Sequence, residues 1–475
     1  MKRHRPGYLA AASIAVLVVG ALMATDAQNR APQTPDFAAA RDEAAGILSG
    51  LVRIDTSNPP GSETKAATFL KQVLDKEGIA SEIFEGEPGR GNLVARLKGS
   101  GRKRPLLLMG HTDVVGVERS RWTFDPFGGE IKDGYVYGRG ASDDKGMTTA
   151  CFETFLLLHR LNVPLDRDVI FLAEADEEAG GRAGVQFMID KHWDRIDSEF
   201  ALNEGGWMYE VNGKVQYVGV ATTEKVPRGL RVVAKGTSGH GSMPRLDNAI
   251  THLSAAVGRI GNWQPPMRMN ETTRTFFERL ATISPPEEAR LYRALQDPIG
   301  SGAAQEKLRS ANIMYNSMLR TSVVPTIIKG GFRNNVIPGD AEATLDVRAL
   351  PDEDMDKFVA MLTELVNDPE VEIVRNAGGR PAPPPSPLAS DMFQALERAQ
   401  AKTFPGLTTL PLMLTGATDS AQLRAKGVQA YGLGSVVSAR DREAVHGNDE
   451  RLGVAGLGKF VELLYGAVVD VAGAR

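Results

Sequence analysis

Residues 105–115 read PLLLMGHTDVV, an apolar run that ends in a histidine and an aspartate two residues apart. An apolar stretch this short, closed by a polar turn, is the pattern of a strand buried on both faces. The strand would cover 105–111 and carry His111 at its end. Neighbouring segments repeat the texture: NLVARLKG (92–99), DVIFLAEA (168–175) and EFALNE (199–204) read as strands. Helical periodicity fills the intervals, in 36–54, in TKAATFLKQVLDKEGI closed by Gly78, in 146–162 and in 181–192. Strands alternating with helices predict an α/β fold built on a mostly parallel sheet.

From about Val218 the pattern changes. KVPRGLRVVAKGTSGHGSMP reads as strand, turn and the start of a helix, and TIIKGGFRNNVIPGDAEATLDVRAL as paired strands. Residues 265–325 between them are polar and helix-rich. PAPPPSPLAS (381–390) is a proline-rich connector, after which FQALERAQ and QAYGLG resume the α/β texture. A chain of 475 residues exceeds one ordinary core. The expected organisation is an α/β domain in two parts, 36–219 and 381–475, interrupted by a smaller α+β domain at 220–380.

A formal net charge of −4 argues against a general polyanion binder, and nucleic acid is not an expected partner. At the N-terminus, basic MKRHRPGY precedes the apolar LAAASIAVLVVGALMA (9–24), the length of a signal-sequence core and short for a membrane span. The expectation is a signal peptide over 1–27, cleaved after Ala27, which makes the mature chain secreted or periplasmic without a stable membrane anchor. No cysteine follows the apolar core, so lipid attachment there is excluded. Cys151 is the only cysteine, so no intramolecular disulfide can form; it reads as a small buried hydrophobe in an apolar helix.

Five polar clusters stand out, four of them at predicted strand ends or in the loops just after, where ligands gather in open α/β sheets. In GHTDVV, His111 can offer a neutral imidazole nitrogen to a metal while Asp113 holds the other ring nitrogen. In YGRGASDDKG (137–146), glycines force a tight backbone around Asp143 and Asp144, and a carboxylate held there can bridge two cations. In EADEEAGG (174–181), Glu177 and Glu178 diverge, so that one can coordinate and the other stay free as a base. NEGG puts Glu204 at a strand terminus, and AVHGNDE puts His446 in a polar turn. Taken alone, GHTDVV reads equally well as a polar turn, and each of the other clusters is more simply solvated loop polarity. Together they supply two histidines and three carboxylates, enough for two three-ligand positions sharing a bridging aspartate. Nitrogen and oxygen ligands without thiolate suit Zn²⁺, two per chain, with Mn²⁺ or Co²⁺ also compatible.

The chain resembles the co-catalytic dizinc amidohydrolases and exopeptidases that include carboxypeptidase G, aminoacylase, succinyl-diaminopimelate desuccinylase and yeast carboxypeptidase S. The resemblance lies in SNPPGSE, LLLMGHTDVV, WTFDPFGGEIKDGYVYGRGASDDKG, EADEEAGG, NEGG, GTSGHGSMP, NNVIPGDAEATLDVR, TGATDSAQL and VHGNDE, over about residues 50–450 in the same order. The W-x-x-D-P-F block, NEGG and the large insertion are most like the carboxypeptidase S branch. The resemblance implies a zinc-exopeptidase α/β catalytic domain interrupted by an α+β lid or dimerisation domain. It implies that His111 and Glu204 hold one zinc, Glu178 and His446 the other, and Asp143 bridges them, with a cis peptide between Asp143 and Asp144. Asp113 would support His111, and Glu177 would be the general base. His240 would reach a neighbouring subunit's site and steady the oxyanion. Asn335, Arg348, Gly416 and Thr418 would contact substrate, the arginine gripping a free carboxylate.

The chemistry follows from those roles. A zinc-bridging hydroxide is available at neutral pH because the two ions acidify the water, and Glu177 takes its proton and passes it to the leaving nitrogen. The expected activity is hydrolysis of an amide beside a free carboxylate, in a small peptide or an acylated amino acid. That is the work of a metallo-carboxypeptidase or dipeptidase, or alternatively of an N-acyl-amino-acid hydrolase. A secreted solute-binding protein is the reading from another class; it has no need of a free glutamate beside a metal ligand. His240 acting across subunits would require a homodimer through the inserted domain, whereas an enlarged inserted domain could supply that contact within one chain.

Overall fold

The computed structural model describes Met1, residues 34–297 and residues 299–474. Apart from Met1, the expected signal peptide lies outside the described residues. Among the described residues no helix is long and apolar enough to cross a membrane.

The apolar segments form one ten-stranded sheet. Its centre is parallel: Leu106–His111 lies between Val169–Glu174 and Phe200–Glu204, and the latter pairs with Gln429–Leu433. Antiparallel strands Arg90–Leu97 and Ser81–Glu87 extend one side. On the other side lie Lys214–Glu224, Trp207–Val211 and Val436–Ser438, with Thr408–Leu414 running parallel to Lys214–Glu224. Every residue of Leu106–His111 and Val169–Glu174 is buried, as an apolar run without alternation requires when both faces are covered. Helices Phe37–Val52, Lys145–Arg160, Asp391–Thr403 and Val454–Ala472 pack on one face, where Leu48, Phe152, Phe155, Leu396 and Phe460 build the main core. Val185–Lys191 covers the other face through Val185 and Met188. This helix starts later than the periodicity of 181–192 predicts. The turn before it is too tight for helix: Gly180 and Gly181 have positive φ, and a Cβ at Gly184 would lie 1.8 Å from the Ala175 carbonyl oxygen.

A second, five-stranded antiparallel sheet contains Leu230–Lys235, Asp340–Ala349, Val371–Arg375, Ser322–Gly330 and the short Val226–Pro227. Helices Ala249–Asn262 and Met355–Val366 cover one side through Leu253, Ile260, Phe358 and Leu362. The segment GTSGHGSMP is a loop that contains only the two-residue strand Gly239–His240 and then turns, and the helix after it begins only at Ala249, where the Asn248 side chain accepts from the Ile250 N–H. The strand through residue 220 belongs to the large sheet, so the chain passes to the small one at 225–230. Residues 265–325 hold helices Glu271–Ile283, Pro286–Ala294, Gly302–Ala311 and Ile313–Met318. Phe276, Phe277, Tyr292 and Tyr315 from these helices share a core with Tyr217, Leu410 and Leu412 of the large sheet. These helices therefore buttress the large sheet rather than the small one.

Candidate metal centre

Three adjacent parallel strands end together at His111, Glu174 and Glu204, and the register sets His111 directly beside Glu174. Glu177 and Glu178 follow in a short 3₁₀ turn, and Asp143 and Asp144 precede helix Lys145–Arg160. The histidine needs a glycine before it. A Cβ on Gly110 would fall 2.6 Å from the Thr148 hydroxyl and 2.8 Å from the Thr148 amide nitrogen, where that helix crosses the strand.

The carboxylate of Asp143 lies between two imidazoles. One oxygen is 3.1 Å from His111 Nε2 and the other 3.0 Å from His446 Nε2. Glu178 Oε1 is 3.1 Å from the same His446 nitrogen, and Glu204 Oε1 is 4.0 Å from His111 Nε2. The peptide between Asp143 and Asp144 is cis. Candidate ligand atoms of His111, Asp143 and Glu178 fall within 4.8 Å of one another, as do those of His111, Asp144 and Glu204. Asp144, which the sequence left without a role, is buried, and its Oδ2 accepts from the His111 backbone N–H at 3.2 Å. Of the two aspartates, Asp143 alone faces both imidazoles.

The charges show what the cluster lacks. Burial pushes the Glu204 carboxyl well above its usual range, and Glu177 adds to the effect. Burial likewise opposes ionisation of Asp143, but hydrogen bonds from His111 and His446 hold it below the ordinary value. Hydrogen bonds to Asp143 and Glu178 push His446 up to about 10. So many carboxylates can share one buried pocket only if they take up protons or if cations compensate them, and the donors are hard oxygens and imidazole nitrogens. The residues fit divalent zinc-like ions.

The supporting groups do more than the sequence suggested. His111 Nδ1 lies 3.0 Å from the Asp113 backbone oxygen and 3.3 Å from its carboxylate, so both fix the ring. The same carboxylate accepts the N–H groups of Glu177 (3.1 Å) and Glu178 (3.2 Å) and the Asn58 amide (2.8 Å). Asp113 therefore ties the histidine to the glutamate turn. Glu450, fully buried, accepts from the amides of Gly140, Ser142 and Asp143 and from Arg139, which fixes the loop that presents Asp143. Its only signal in the sequence is its place at the end of VHGNDE.

Glu177 is buried and coordinates neither imidazole. Arg380 donates to its Oε1 at 2.8 Å and to Asp419 at 3.3 Å. Burial pushes Glu177 up to about 8, with Asp419 adding to the rise and Arg380 opposing it. Asp419 in turn abuts the buried Glu174, whose carboxyl burial and Asp419 push well above its usual range. Arg380 stands at the start of the connector, where nothing in GGRPAPPP marks it. Asp419 sits inside the TGATDS motif.

Arg348 and Gly416 line a cleft of about 450 Å³ together with Arg380, Glu177, Glu178, Glu204, Asp143 and His446. Arg348 Nε bonds Asp346 at 2.9 Å, and its terminal nitrogens carry no hydrogen bond among the described residues. Thr418 is turned away: its N–H and hydroxyl each bond the buried Glu224 at 2.9 Å, which anchors the loop. His240 and Asn335 do not join the cluster within one chain. His240 contacts Ser242 in an exposed ladder that pairs it with Val336, and Asn335 accepts from Gly241 beside it.

Comparison with known proteins identifies the family. The description Peptidase family M20/M25/M40 matches residues 107–470. The chain is 29% identical over 375 residues to a probable carboxypeptidase S-like 2 of Dictyostelium discoideum, covering 76% of this chain and 70% of that protein. It is 29% identical over 439 residues to the N-fatty-acyl-amino acid synthase/hydrolase PM20D1 of Homo sapiens, covering 88% and 86%. Its fold matches that of an M20 family metallo-carboxypeptidase from Sulfolobus solfataricus with a TM-score of 0.68 at 17% identity, covering 90% and 99% of the two chains. The chain belongs to peptidase family M20/M25/M40 and is a metal-dependent hydrolase of peptide or amide bonds.

Proposed function

We propose that the protein hydrolyses an amide bond beside a free carboxylate, with two zinc ions held by His111 and Glu204, by Glu178 and His446, and by Asp143 between them. The observation that carries this is the Asp143 carboxylate set between two imidazoles, with the unligated Glu177 beside it. Zinc ions held by these residues would supply Lewis-acid chemistry, polarising the scissile carbonyl and lowering the pKa of a bound water. Glu177 takes a proton from the attacking water, whose oxygen joins the acyl carbon. As the carbon–nitrogen bond breaks, Glu177 returns the proton to the leaving nitrogen. Arg348, with free terminal nitrogens, suits a bidentate grip on the substrate carboxylate. Gly416 would present backbone to the substrate, and Thr418 would hold that loop through Glu224.

A metallo-carboxypeptidase or dipeptidase is one form of this activity, in line with the carboxypeptidase S-like relative. An N-acyl-amino-acid hydrolase is the other, in line with the PM20D1 and aminoacylase-1 relatives. His240 and Asn335, together on an exposed face, would complete the site of a second copy, His240 donating to the developing oxyanion. The basic and apolar N-terminal segment supports export from the cytoplasm. The test is a panel of peptides and N-acyl-amino acids, scored by the amino acid released, with and without chelator. Chelation abolishes turnover and zinc restores it, and Glu177→Gln lowers kcat by about 10²–10⁴-fold with metal content unchanged. Turnover that survives chelation, or a Glu177→Gln enzyme of full activity, refutes the reading.

A further inference from the structure

The motif SNPPGSE and Arg90 contribute nothing to the ligand cluster, yet both converge on the turn that carries Glu177 and Glu178. Asp176, the residue before Glu177, has φ 70° and ψ 12°. This left-handed conformation is uncommon outside glycine, and an aspartate keeps it when bonds to its side chain hold it there. The Asp176 carboxylate is buried, and Arg90 is the one cation paired with it among the described residues, Nη2 to Oδ1 at 2.8 Å. The Asn58 amide donates to the same oxygen at 3.2 Å, and the Ala183 N–H donates to the other at 2.8 Å.

Asn58 also donates to Asp113 at 2.8 Å, so one amide joins the two aspartates that hold the turn. Asp113 accepts the N–H groups of Glu177 and Glu178, while Asp176 fixes the backbone that leads into them. Arg90 is itself held. Its Nε pairs with the buried Glu63 at 2.7 Å, and its Nη1 donates to the Pro60 carbonyl at 3.2 Å. Gly61 lets that loop come close, since a Cβ there would lie 2.3 Å from Arg90 Nε. A planar guanidinium with three fixed acceptors has one orientation, which a flexible ammonium lacks. The turn is thus fixed through its backbone, separately from Arg380, which grips the Glu177 carboxylate itself.

Resting on the hydrolase reading above, we infer that Arg90, Asp176 and Asn58 are positioning residues whose clamp sets the direction in which the turn presents Glu177 to the attacking water. The experiment measures kcat and KM of the zinc-loaded enzyme, and hydrogen exchange over residues 174–184, for variants of these three residues. Glycine adopts the left-handed backbone at no steric cost but brings no carboxylate. Asp176→Gly and Asp176→Ala therefore both lower kcat about 10–100-fold, with KM changed by less than about threefold and faster exchange over the turn. Asp176→Asn tolerates the same φ and keeps an acceptor, so it loses less than about tenfold. Arg90→Met falls as far as Asp176→Ala, and Arg90→Lys recovers part of the loss. In a Glu177→Gln background the kcat loss from Asp176→Gly shrinks below about threefold, because residues that act through one another are not additive. Should Arg90→Met fail to fold with Glu63 left unpaired, the Asp176 series and Asn58→Ala, which loses up to about tenfold in kcat, carry the test. Wild-type kcat in Asp176→Gly, or an undiminished loss in the Glu177→Gln background, overturns the clamp and leaves the hydrolase reading intact. No turnover by the wild-type enzyme overturns both.

Discussion

Replacing Arg380 by alanine tests whether one guanidinium holds the general base in place. In the folded protein Arg380 donates to Glu177 at 2.8 Å and to Asp419 at 3.3 Å, and those side chains are 9% and 0% exposed. Removing one partner of a buried ion pair costs about 3–5 kcal/mol because the remaining charge is left in a poorly solvating site. Two carboxylates are stranded here, so the upper half of that range is expected in urea unfolding of the metal-loaded protein. Glu177→Gln alone keeps an acceptor for Arg380 and removes one charge from an acid-rich pocket, so its stability change is small, within about 1 kcal/mol. The double variant then loses less than Arg380→Ala alone, with a coupling of about 1.5–3 kcal/mol. Activity of Arg380→Ala falls about 10–100-fold, the usual effect of losing a group that orients a catalytic residue. Additive stability changes, with a coupling below about 0.5 kcal/mol, would show that Arg380 does not position Glu177 and would refute the reasoning.

Two further outcomes are expected. Glu153 is buried on helix Lys145–Arg160 with both oxygens unpartnered, and burial pushes it up to about 8, with Glu43 adding to the rise. Its folded pKa lies above its unfolded one, so its contribution to stability is full below about 4.5, declines as pH rises, and is lost above about 8. The interval, at about 1.36 kcal/mol per pH unit, sets a ceiling of about 5 kcal/mol. Glu153→Gln should flatten the fall of Tm between pH 5 and 8, and an unchanged slope would show that Glu153 is not the responsible group. Strand Ser322–Gly330 is the edge of the small sheet and exposes Val324, Ile327 and Ile328, with Phe332 beyond it. If this edge joins two copies, Ile328→Asp gives a monomer by light scattering with reduced turnover, because His240 and Asn335 no longer reach a second site; a fully active monomer excludes the shared site.

Much of the fold was legible because each short apolar run between turns admits one structure. PLLLMGH, DVIFLAEA and EFALNE cannot sit at a surface, and their spacing by helices leaves little choice but a parallel sheet. The helix-rich stretch 265–325 was not legible. Its amphipathic pattern shows that one face is buried and says nothing about which sheet covers it, and the structure sets Phe276 and Tyr315 against Leu410 and Leu412. The ligand types were likewise legible, since imidazoles and carboxylates at strand ends suit a hard divalent ion.

By itself the sequence determined the chemistry available: the strand termini and the imidazole and carboxylate residue types at them. Only the tertiary structure decided which groups meet. Asp113 joins His111 to the glutamate turn, Glu450 fixes the loop under Asp143, and Arg380 reaches Glu177 from 203 positions away in the chain. The same residue types at His240 and Thr418 are left outside the cluster. Local sequence sets periodicity and turn chemistry. The pairing of distant charges depends on how separate segments dock, and burial then makes each pairing obligatory.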